Sequence, residues 1–209
     1  MTNDAFDRGA WERRWTQVVR DSPEVLATRP PNSFLLSVAD DLAPGVALDA
    51  GCGHGSEAIR LSESGWRVTA VDFSATALDY GRASAAAAGT AVASRIEWLE
   101  VDLGSWVPAR GRFDLVSCLY VHVTGSVTDM VRRLGDAVAP DGTILLVGHR
   151  PVDPETGALT PAAGQVQVSV DEALEVLDPD AWRIVVAEER PRAAAGSGVD
   201  AVVHAVRRS

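Results

Sequence analysis

Glycines alternate with other residues over one short segment, with an acidic residue before it and another some distance after it. The segment reads Asp49-Ala50-Gly51-Cys52-Gly53-His54-Gly55, and Asp72 follows at the end of the next apolar run. Because glycine lacks a Cβ atom, such a segment can turn tightly and approach a ligand closely. An acid about 20 residues further on is placed to bind ribose hydroxyls. The spacing therefore predicts a site for a ligand that contains adenosine.

Regular strand and helix patterns surround this segment and must position it. Apolar runs typical of short strands cover residues 46–48, 66–71, 96–101, 113–118 and 143–148. Helical patterns lie between them, at 57–64, from an N-cap at Ser74 to residue 88, and at 127–138. Such alternation predicts parallel βαβ units, in which ligands bind beyond the carboxyl ends of the strands.

Further elements are predicted on either side of this core. They are a helix over 4–20, a shorter helix over 33–41, a loop over 150–165, and strands over 183–187 and 201–206. The loop has no periodicity, and loops of this length often act as lids or substrate contacts. Ser169 and Glu172 form a capping box that begins a short helix. We expect the last two strands to pair as an antiparallel hairpin at the sheet edge.

Together these elements predict a single α/β domain over residues 1–209. Its sheet is expected to be doubly wound, seven-stranded and mostly parallel, with an antiparallel C-terminal strand. Residues 1–41 would form a helical lid, 42–149 the cofactor-binding core, and 150–209 the loop, short helix and closing strand pair. A chain of 209 residues suits one such core.

The composition excludes several classes of function. The net charge is −10, and an acidic chain repels a phosphate backbone, so we expect no nucleic-acid partner. The apolar runs are far shorter than the roughly 20 residues of a membrane span, and the N-terminus does not resemble a signal peptide. We therefore expect no membrane partner and a cytoplasmic location. All 19 basic residues are Arg, which excludes Schiff-base and P-loop chemistry that requires Lys.

The two cysteines do not predict disulfides or metal binding. A pair of cysteines in apolar surroundings is typical of a protein in a reducing compartment. Cys52 lies near His54 and Cys118 near His122, but neither pair has the four-ligand spacing of a zinc site. We therefore expect no metal.

The order of the glycines separates two classes of cofactor. A dinucleotide-binding turn follows the pattern G-x-G-x-x-G, whereas here Ser56 takes the third position and the glycine falls one residue earlier, at Gly55. The order D-x-G-x-G-x-G resembles the first motif of class I S-adenosylmethionine-dependent methyltransferases. Later segments resemble further motifs of that superfamily, namely Val71-Asp72-Phe73-Ser74, Val101-Asp102-Leu103, Phe113-Asp114-Leu115-Val116 and Pro140-Asp141-Gly142-Thr143.

The resemblance implies S-adenosylmethionine as the cofactor and assigns residues to it. Asp72 would bind the ribose hydroxyls, with Phe73 against the adenine. Asp102 would accept a hydrogen bond from the adenine amino group, with Leu103 beside it. The other residues that we expect to contact the cofactor are Asp49, Ala50, Gly51, Gly53, Trp15 and Cys118.

Two of these assignments have structural alternatives. Trp15 lies four residues after Trp11, so the two rings share one helix face and form either a core stripe or a cover over the cofactor. For Cys118, packing in the core is favoured over a role as nucleophile, because methyl transfer needs no protein nucleophile.

The catalytic candidates are histidines at the ends of strands. His122 follows the fourth strand and His149 closes the fifth, so either is placed to accept a proton from a hydroxyl or amine acceptor. The alternative for both is a structural hydrogen bond to a backbone carbonyl. We expect His54 to shape the glycine turn and His204 to be a residue of an edge strand.

The narrower resemblance concerns the acceptor. The small size and the Trp-bearing N-terminal helix are similar to bacterial tellurite-resistance and thiopurine-type methyltransferases. This implies a small-molecule methyl acceptor, with sulfur or another soft nucleophile slightly ahead of oxygen and nitrogen. Two other functions stay open. One is a nicotinamide-dependent oxidoreductase, disfavoured by the missing third glycine and by the absence of Lys; the other is a non-catalytic nucleotide-sensing module.

Overall fold

Strands and helices alternate along the chain in a computed structural model that describes residues 8–153, 156–160, 162–164, 166–191 and 198–209. The helices are α1 (Arg8–Asp21), α2 (Pro23–Thr28), α3 (Ser33–Asp40), α4 (Ser56–Glu63), α5 (Ala75–Ala88), α6 (Thr90–Ala93), α7 (Val127–Ala137) and α8 (Val170–Val176). The strands are β1 (Val46–Ala50), β2 (Arg67–Asp72), β3 (Ile96–Glu100), β4 (Phe113–Leu119), β5 (Val138–His149), β6 (Trp182–Pro191) and β7 (Val199–Arg207).

The strands form a sheet of order β3-β2-β1-β4-β5-β7-β6. β2 runs parallel to both β1 and β3, and β4 runs parallel to β5. β7 is antiparallel to both of its neighbours, β5 and β6. The predicted fold class, a doubly wound and mostly parallel seven-stranded sheet with an antiparallel C-terminal strand, is confirmed.

The chain divides into two compact units, residues 1–106 and 107–209. In the first unit, β1 and β2 are nearly continuous apolar runs, as expected for parallel strands covered on both faces. Ser74 caps α5 by accepting a hydrogen bond from the backbone N–H of Ala77 at 3.1 Å, which confirms the predicted start of that helix.

In the second unit, helix α7 covers the sheet with one apolar face. The residues of that face are Val127, Met130, Val131, Leu134 and Ala137, all buried. Ser126 caps the helix. The predicted capping box of α8 is confirmed, because Ser169 and Glu172 each bond the other's backbone N–H.

Several elements differ from the sequence prediction. β5 begins at Val138 rather than at residue 143, because Val138 pairs with Phe113 ahead of an irregularity at Asp141, whose φ is 61°. His204 does not lie on an edge strand, because β7 inserts between β5 and β6. The short helices α2 and α6 were not predicted, since neither is long enough to show periodicity.

Parts of two predicted elements lie outside the described residues. These parts are residues 1–7 of the N-terminal segment and positions 154, 155, 161 and 165 of the predicted loop. Within the described part of that loop, an isolated antiparallel bridge joins Val152 to Leu159. No helix in the described ranges is long and apolar enough to cross a membrane.

Candidate active site

The glycine turn of the first unit begins where β1 ends, at Ala50. The backbone N–H groups of Gly51 and Cys52 both donate to the carbonyl of Val71 in β2, at 2.8 and 2.9 Å. Gly53 has a φ of 52° and Gly55 one of 84°, in the left-handed region that favours glycine. The turn is therefore fixed against the neighbouring strand.

Tryptophan rings fill the space that side chains would take at two of the glycines. A Cβ atom on Gly53 would lie 2.8 Å from the Trp15 ring, and one on Gly55 would overlap the ring of Trp98. The third glycine was expected to allow close approach of a ligand. For Gly55 that interpretation is wrong, because the close neighbour is the Trp98 ring, which also fills the space over Gly81.

Replacing Gly55 by Ala should therefore destabilise the fold. The new methyl group would displace the Trp98 ring, and overpacking of this kind costs about 1–3 kcal/mol. Gly111→Ala is a matched control, because Gly111 also has a positive φ, 60°, but a Cβ there meets nothing within 4 Å. Urea denaturation should show a larger loss for Gly55→Ala than for Gly111→Ala. Equal losses of stability in the two variants would mean that the positive φ alone, and not the Trp98 ring, requires glycine at position 55.

Asp72 organises the turn from the end of β2. Its Oδ2 accepts a hydrogen bond from the Gly53 N–H and its Oδ1 one from the Ser74 N–H, both at 2.9 Å. Burial raises the pKa of the Asp72 carboxyl above its usual value, partly offset by these amide donors. Further hydrogen bonds from a ligand would therefore stabilise the ionised form of Asp72.

The end of β3 carries the second acid of the predicted set. The Val101 N–H donates to the carbonyl of Asp72 at 3.0 Å, which ties the two strand ends together. Asp102 Oδ1 accepts a hydrogen bond from the Gly104 N–H at 2.8 Å, and Leu103 is buried. Asp49 is also buried, at the end of β1. The structure thus brings Asp49, Asp72 and Asp102 to the carboxyl ends of three adjacent parallel strands.

The residues of this unit fit an adenosine-containing cofactor. A carboxylate has about four lone-pair sites, so Asp72 can accept two ribose hydroxyls in addition to its two amide donors. Asp102 can likewise accept the adenine amino group while it holds the Gly104 N–H. The Nε2 atom of His54, in the same turn, is buried without a hydrogen-bond partner in the described part of the chain.

His54 and Cys52 are neutral residues of the turn. The His54 ring lies 5.8 Å from the Trp15 ring and 6.4 Å from that of Tyr80, between centroids. Burial lowers the pKa of His54 below its usual value. Burial, together with the Asp49 charge, raises the pKa of the Cys52 thiol well above its usual value. The Cys52 thiol therefore stays protonated and does not act as a nucleophile.

Helix α1 packs on the start of α5 through polar contacts. Glu12 Oε1 accepts hydrogen bonds from the hydroxyl of Thr76 at 2.5 Å and from its N–H at 3.3 Å, and Thr16 lies 3.4 Å from the same hydroxyl. Arg8 pairs with Glu100. No described residue of α1 is buried. The core stripe considered for Trp15 is therefore wrong, and α1 lies as a surface cover on the glycine turn.

The docking of α1 should weaken in acid. Partial burial opposes ionisation of Glu12, but hydrogen bonds from Ser74 and Thr76 outweigh it, so its pKa lies below 4.5. A carboxyl group whose pKa is lowered by docking stabilises the docked helix at every pH above its usual pKa. This stabilisation is lost as the pH falls through the lowered pKa. The protection factors of the α1 amides, which correct for the intrinsic pH dependence of exchange, should therefore fall below pH 4.5. In Glu12→Gln this acid-dependent component should disappear, and its persistence would contradict the role of Glu12.

The second unit contains a connected network of polar side chains. His149 Nδ1 lies 2.9 Å from Asp200 Oδ1, and the Tyr120 hydroxyl donates to Asp200 Oδ2 at 2.9 Å. The Tyr120 and His149 rings lie 4.1 Å apart between centroids, with their planes tilted by 34°. The His149 backbone N–H donates to Gln167 Oε1 at 2.7 Å, and Gln167 Nε2 lies 2.7 Å from His122 Nε2. Both predicted histidines therefore belong to one network.

Backbone geometry places this network at the carboxyl ends of β4 and β5. His149, the last residue of β5, is the direct cross-strand partner of Asp200 in β7. A Cβ atom on Gly148 would overlap the backbone oxygen of Val168. Only glycine at position 148 therefore lets the segment that contains Gln167 and Val168 pass close to β5, which brings Gln167 to His149. Cys118 lies buried within β4, where core packing accounts for its position.

Sequence reasoning missed three members of the network, namely Tyr120, Gln167 and Asp200. Asp200 is buried, with 3% of the whole residue exposed. The signal for it was an acid at the start of an otherwise apolar strand, Val199-Asp200-Ala201-Val202-Val203. Such an acid is rarely buried unless it is paired, so its place in the strand pattern indicated a partner.

Comparisons with known proteins agree with the predicted superfamily. Residues 47–142 match the family model described as a methyltransferase domain. Glycine N-methyltransferase of Rattus norvegicus is 29% identical over 165 residues, which cover 72% of this chain and 55% of that protein. The chain thus spans about half the length of the curated relatives that it matches.

Solved structures share the fold at low sequence identity. An S-adenosylmethionine-dependent methyltransferase from Mesorhizobium loti is 20% identical with a TM-score of 0.65, covering 82% of this chain and 95% of that one. The 1,6-didemethyltoxoflavin-N1-methyltransferase of Burkholderia thailandensis, solved with S-adenosylhomocysteine, is 21% identical with a TM-score of 0.65, covering 95% and 88%. The resemblance to the tellurite-resistance and thiopurine-type enzymes stays a prediction. Residues 47–142 are thus similar to a methyltransferase domain, and the chain shares its fold with solved S-adenosylmethionine-dependent methyltransferases.

Proposed function

We propose that the chain transfers a methyl group from S-adenosylmethionine to a small-molecule nucleophile. The observation that carries this proposal is the glycine turn held by Asp72, within the segment that matches a methyltransferase domain. The names of two relatives add support, because glycine and 1,6-didemethyltoxoflavin are both small molecules. The acidic net charge, −10, also disfavours a nucleic-acid substrate.

The first unit supplies the groups that would hold the cofactor. S-adenosylmethionine, when bound, supplies a methyl group activated by its sulfonium. Asp72 would accept hydrogen bonds from the ribose hydroxyls and Asp102 one from the adenine amino group, with Phe73 and Leu103 against the ring. Trp15, on the cover formed by α1, would exclude water from the methionine end. Exclusion of water strengthens the electrostatic interactions inside a site.

The hydrogen bonds of the second unit favour His149 over His122 as the base. A backbone N–H can only donate, so the Gln167 atom that accepts from the His149 N–H is its amide oxygen. The amide nitrogen of Gln167 then faces His122 and donates to its Nε2. The basic lone pair of His122 is therefore engaged, and His122 serves to position Gln167.

His149 has the properties that a base for the acceptor needs. Its side chain is 24% exposed, whereas that of Asp200 is 4% exposed. The ring stands at the carboxyl end of β5, the edge at which ligands bind in a doubly wound sheet. His149 is thus accessible to solvent while its Nδ1 atom faces a buried carboxylate.

Methyl-labelled S-adenosylmethionine tests the proposal. The purified chain would be incubated with small amines, phenols, other hydroxyl compounds, thiols and chalcogen oxyanions, and labelled products would be counted beside S-adenosylhomocysteine release. We expect transfer to at least one class, with both products formed in equal amounts. Transfer confined to proteins or nucleic acids would contradict the small-molecule acceptor. Cofactor binding without transfer to any acceptor would favour the nucleotide-sensing module instead.

A further inference from the structure

A buried carboxylate joins the candidate base to a tyrosine in a way that the proposed function does not use. Asp200 presents one oxygen to the His149 ring and the other to the Tyr120 hydroxyl, each at 2.9 Å. Carboxylates are almost never buried to this extent without paired donors. Two of its partners are the side chain proposed as base and the hydroxyl of the tyrosine whose ring lies beside that side chain.

We propose that Asp200 is a positioning residue that holds His149 with its proton on Nδ1, and that the acceptor carries a proton on its attacking nitrogen or oxygen. This inference rests on the proposed function. An ionised carboxylate only accepts hydrogen bonds, so the His149 Nδ1 atom facing it must donate. Nε2 is then the basic nitrogen of the ring.

The fold holds this pair in place from both sides. His149 and Asp200 are opposite residues of the antiparallel pair of β5 and β7, so their separation is set by the sheet. Tyr120 has a φ of 59°, unusual for a large side chain, and its N–H donates to the carbonyl of Val147 at 2.7 Å. Strained backbone of this kind collects at functional sites, and here it turns the Tyr120 ring onto His149.

Neighbouring charges are paired among themselves. Arg190, the partner of Asp200 across β6 and β7, forms an ion pair with Glu188. Arg150, next to His149, forms one with Glu189 at 2.6 Å between Nε and Oε1. Each of these two cations thus has a glutamate partner.

The chemistry of the step connects this pair to the acceptor class. Methyl transfer forms a bond from the attacking atom to the methyl carbon, breaks the carbon–sulfur bond with its electron pair left on sulfur, and releases the proton of the attacking atom to His149 Nε2. A thiol near its pKa already provides thiolate and needs little help. A hydroxyl or a protonated amine needs a base. The pair of His149 and Asp200 is therefore suited to nitrogen or oxygen acceptors. This inference replaces the slight preference for sulfur acceptors that the sequence resemblance implied.

The tautomer of His149 can be measured without cofactor or acceptor, so this test is independent of the proposed function. Nitrogen-15 NMR of the full chain, with the His149 signals assigned by their loss in His149→Gln, should show the Nδ1–H tautomer at neutral to basic pH. Asp200→Asn and Asp200→Ala should shift the population toward Nε2–H. Tyr120→Phe, which keeps the carboxylate, should retain the wild-type tautomer. An Nε2–H tautomer in wild type, or no shift in either Asp200 variant, would overturn the positioning role.

Kinetics then test the acceptor class. On amine or hydroxyl acceptors, Asp200→Asn should lower kcat by about 10²-fold or more with little change in KM, because proton transfer contributes this much. On thiol acceptors the loss should be far smaller. An equal loss for thiols and amines, or activity with thiols alone, would overturn the inferred class even if methyl transfer itself is confirmed.

Discussion

His149→Gln should lower kcat by about 10²- to 10⁴-fold on an amine or hydroxyl acceptor, the contribution of a positioned general base. Gln is close to His in size but cannot take up the proton. The backbone N–H of residue 149, which holds Gln167, is unaffected by the substitution. The affinity for S-adenosylmethionine should therefore stay near that of wild type, and calorimetry beside steady-state kinetics would separate the two effects.

His122→Gln is the matched control for this prediction. Its ring nitrogen accepts from Gln167, and the oxygen of a glutamine side chain is also an acceptor. We expect a much smaller loss of kcat than in His149→Gln. A large loss in His122→Gln with a small one in His149→Gln would reverse the assignment. Near-normal rates in both variants would show that neither histidine acts as the base and that both have structural roles.

Asp72→Ala should weaken S-adenosylmethionine binding by about 1–3 kcal/mol, because hydrogen bonds to a charged acceptor contribute about that much. This corresponds to roughly 5- to 150-fold in Kd. The loss has two sources: the ribose hydroxyls lose their acceptor, and the Gly53 and Ser74 N–H groups lose the carboxylate that fixes the turn. Calorimetric titration of wild type and variant measures it.

A carboxylate on the helix that follows β2 serves as the control for Asp72. Asp79 lies on α5, where it pairs with Arg82 at 2.7 Å on the surface, and exposed pairs of this kind contribute little. Asp79→Ala should bind S-adenosylmethionine as wild type does. Unfolding in urea would show whether Asp72→Ala remains folded under the titration conditions. Unchanged affinity in a folded Asp72→Ala would remove Asp72 from the cofactor site.

Local patterns made the glycine turn and the elements of the first unit predictable. The turn from Asp49 to Gly55 and the acid at Asp72 lie within about two dozen residues, and the βαβ unit that joins them has a regular form. The apolar runs of β1 and β2 and the N-cap at Ser74 are also signals within single elements. Each depends on neighbours in sequence, so the predictions needed no tertiary information.

The polar network of the second unit depends on contacts between distant segments. Asp200 reaches His149 across 51 positions and Tyr120 across 80. The contact of His149 with Asp200 follows from the register of β5 with β7. A one-residue slip in that register would move the side chains of one strand to the opposite face of the sheet. Sequence patterns located the strands but not their register. His122 and His149 could therefore be named as candidates without their partners, and the choice between them depended on the amide orientation of Gln167.

The packing of α1 was unpredictable for a related reason. The spacing of Trp11 and Trp15 indicates one helix face, but it does not show what that face meets. In the structure Trp15 fills the space over Gly53, and Glu12 binds Thr76 at the start of α5. Whether a glycine admits a ligand or a ring depends on such contacts, as Gly55 and Trp98 also show.

Native mass spectrometry of the chain with an equimolar mixture of S-adenosylmethionine, S-adenosylhomocysteine, NAD and NADP tests the central claim most directly. The account predicts one bound molecule of S-adenosylmethionine or S-adenosylhomocysteine in wild type, and a reduced bound fraction in Asp72→Ala but not in Asp79→Ala. A complex with either nicotinamide dinucleotide, retained while S-adenosylmethionine is not, would contradict the account and favour the oxidoreductase.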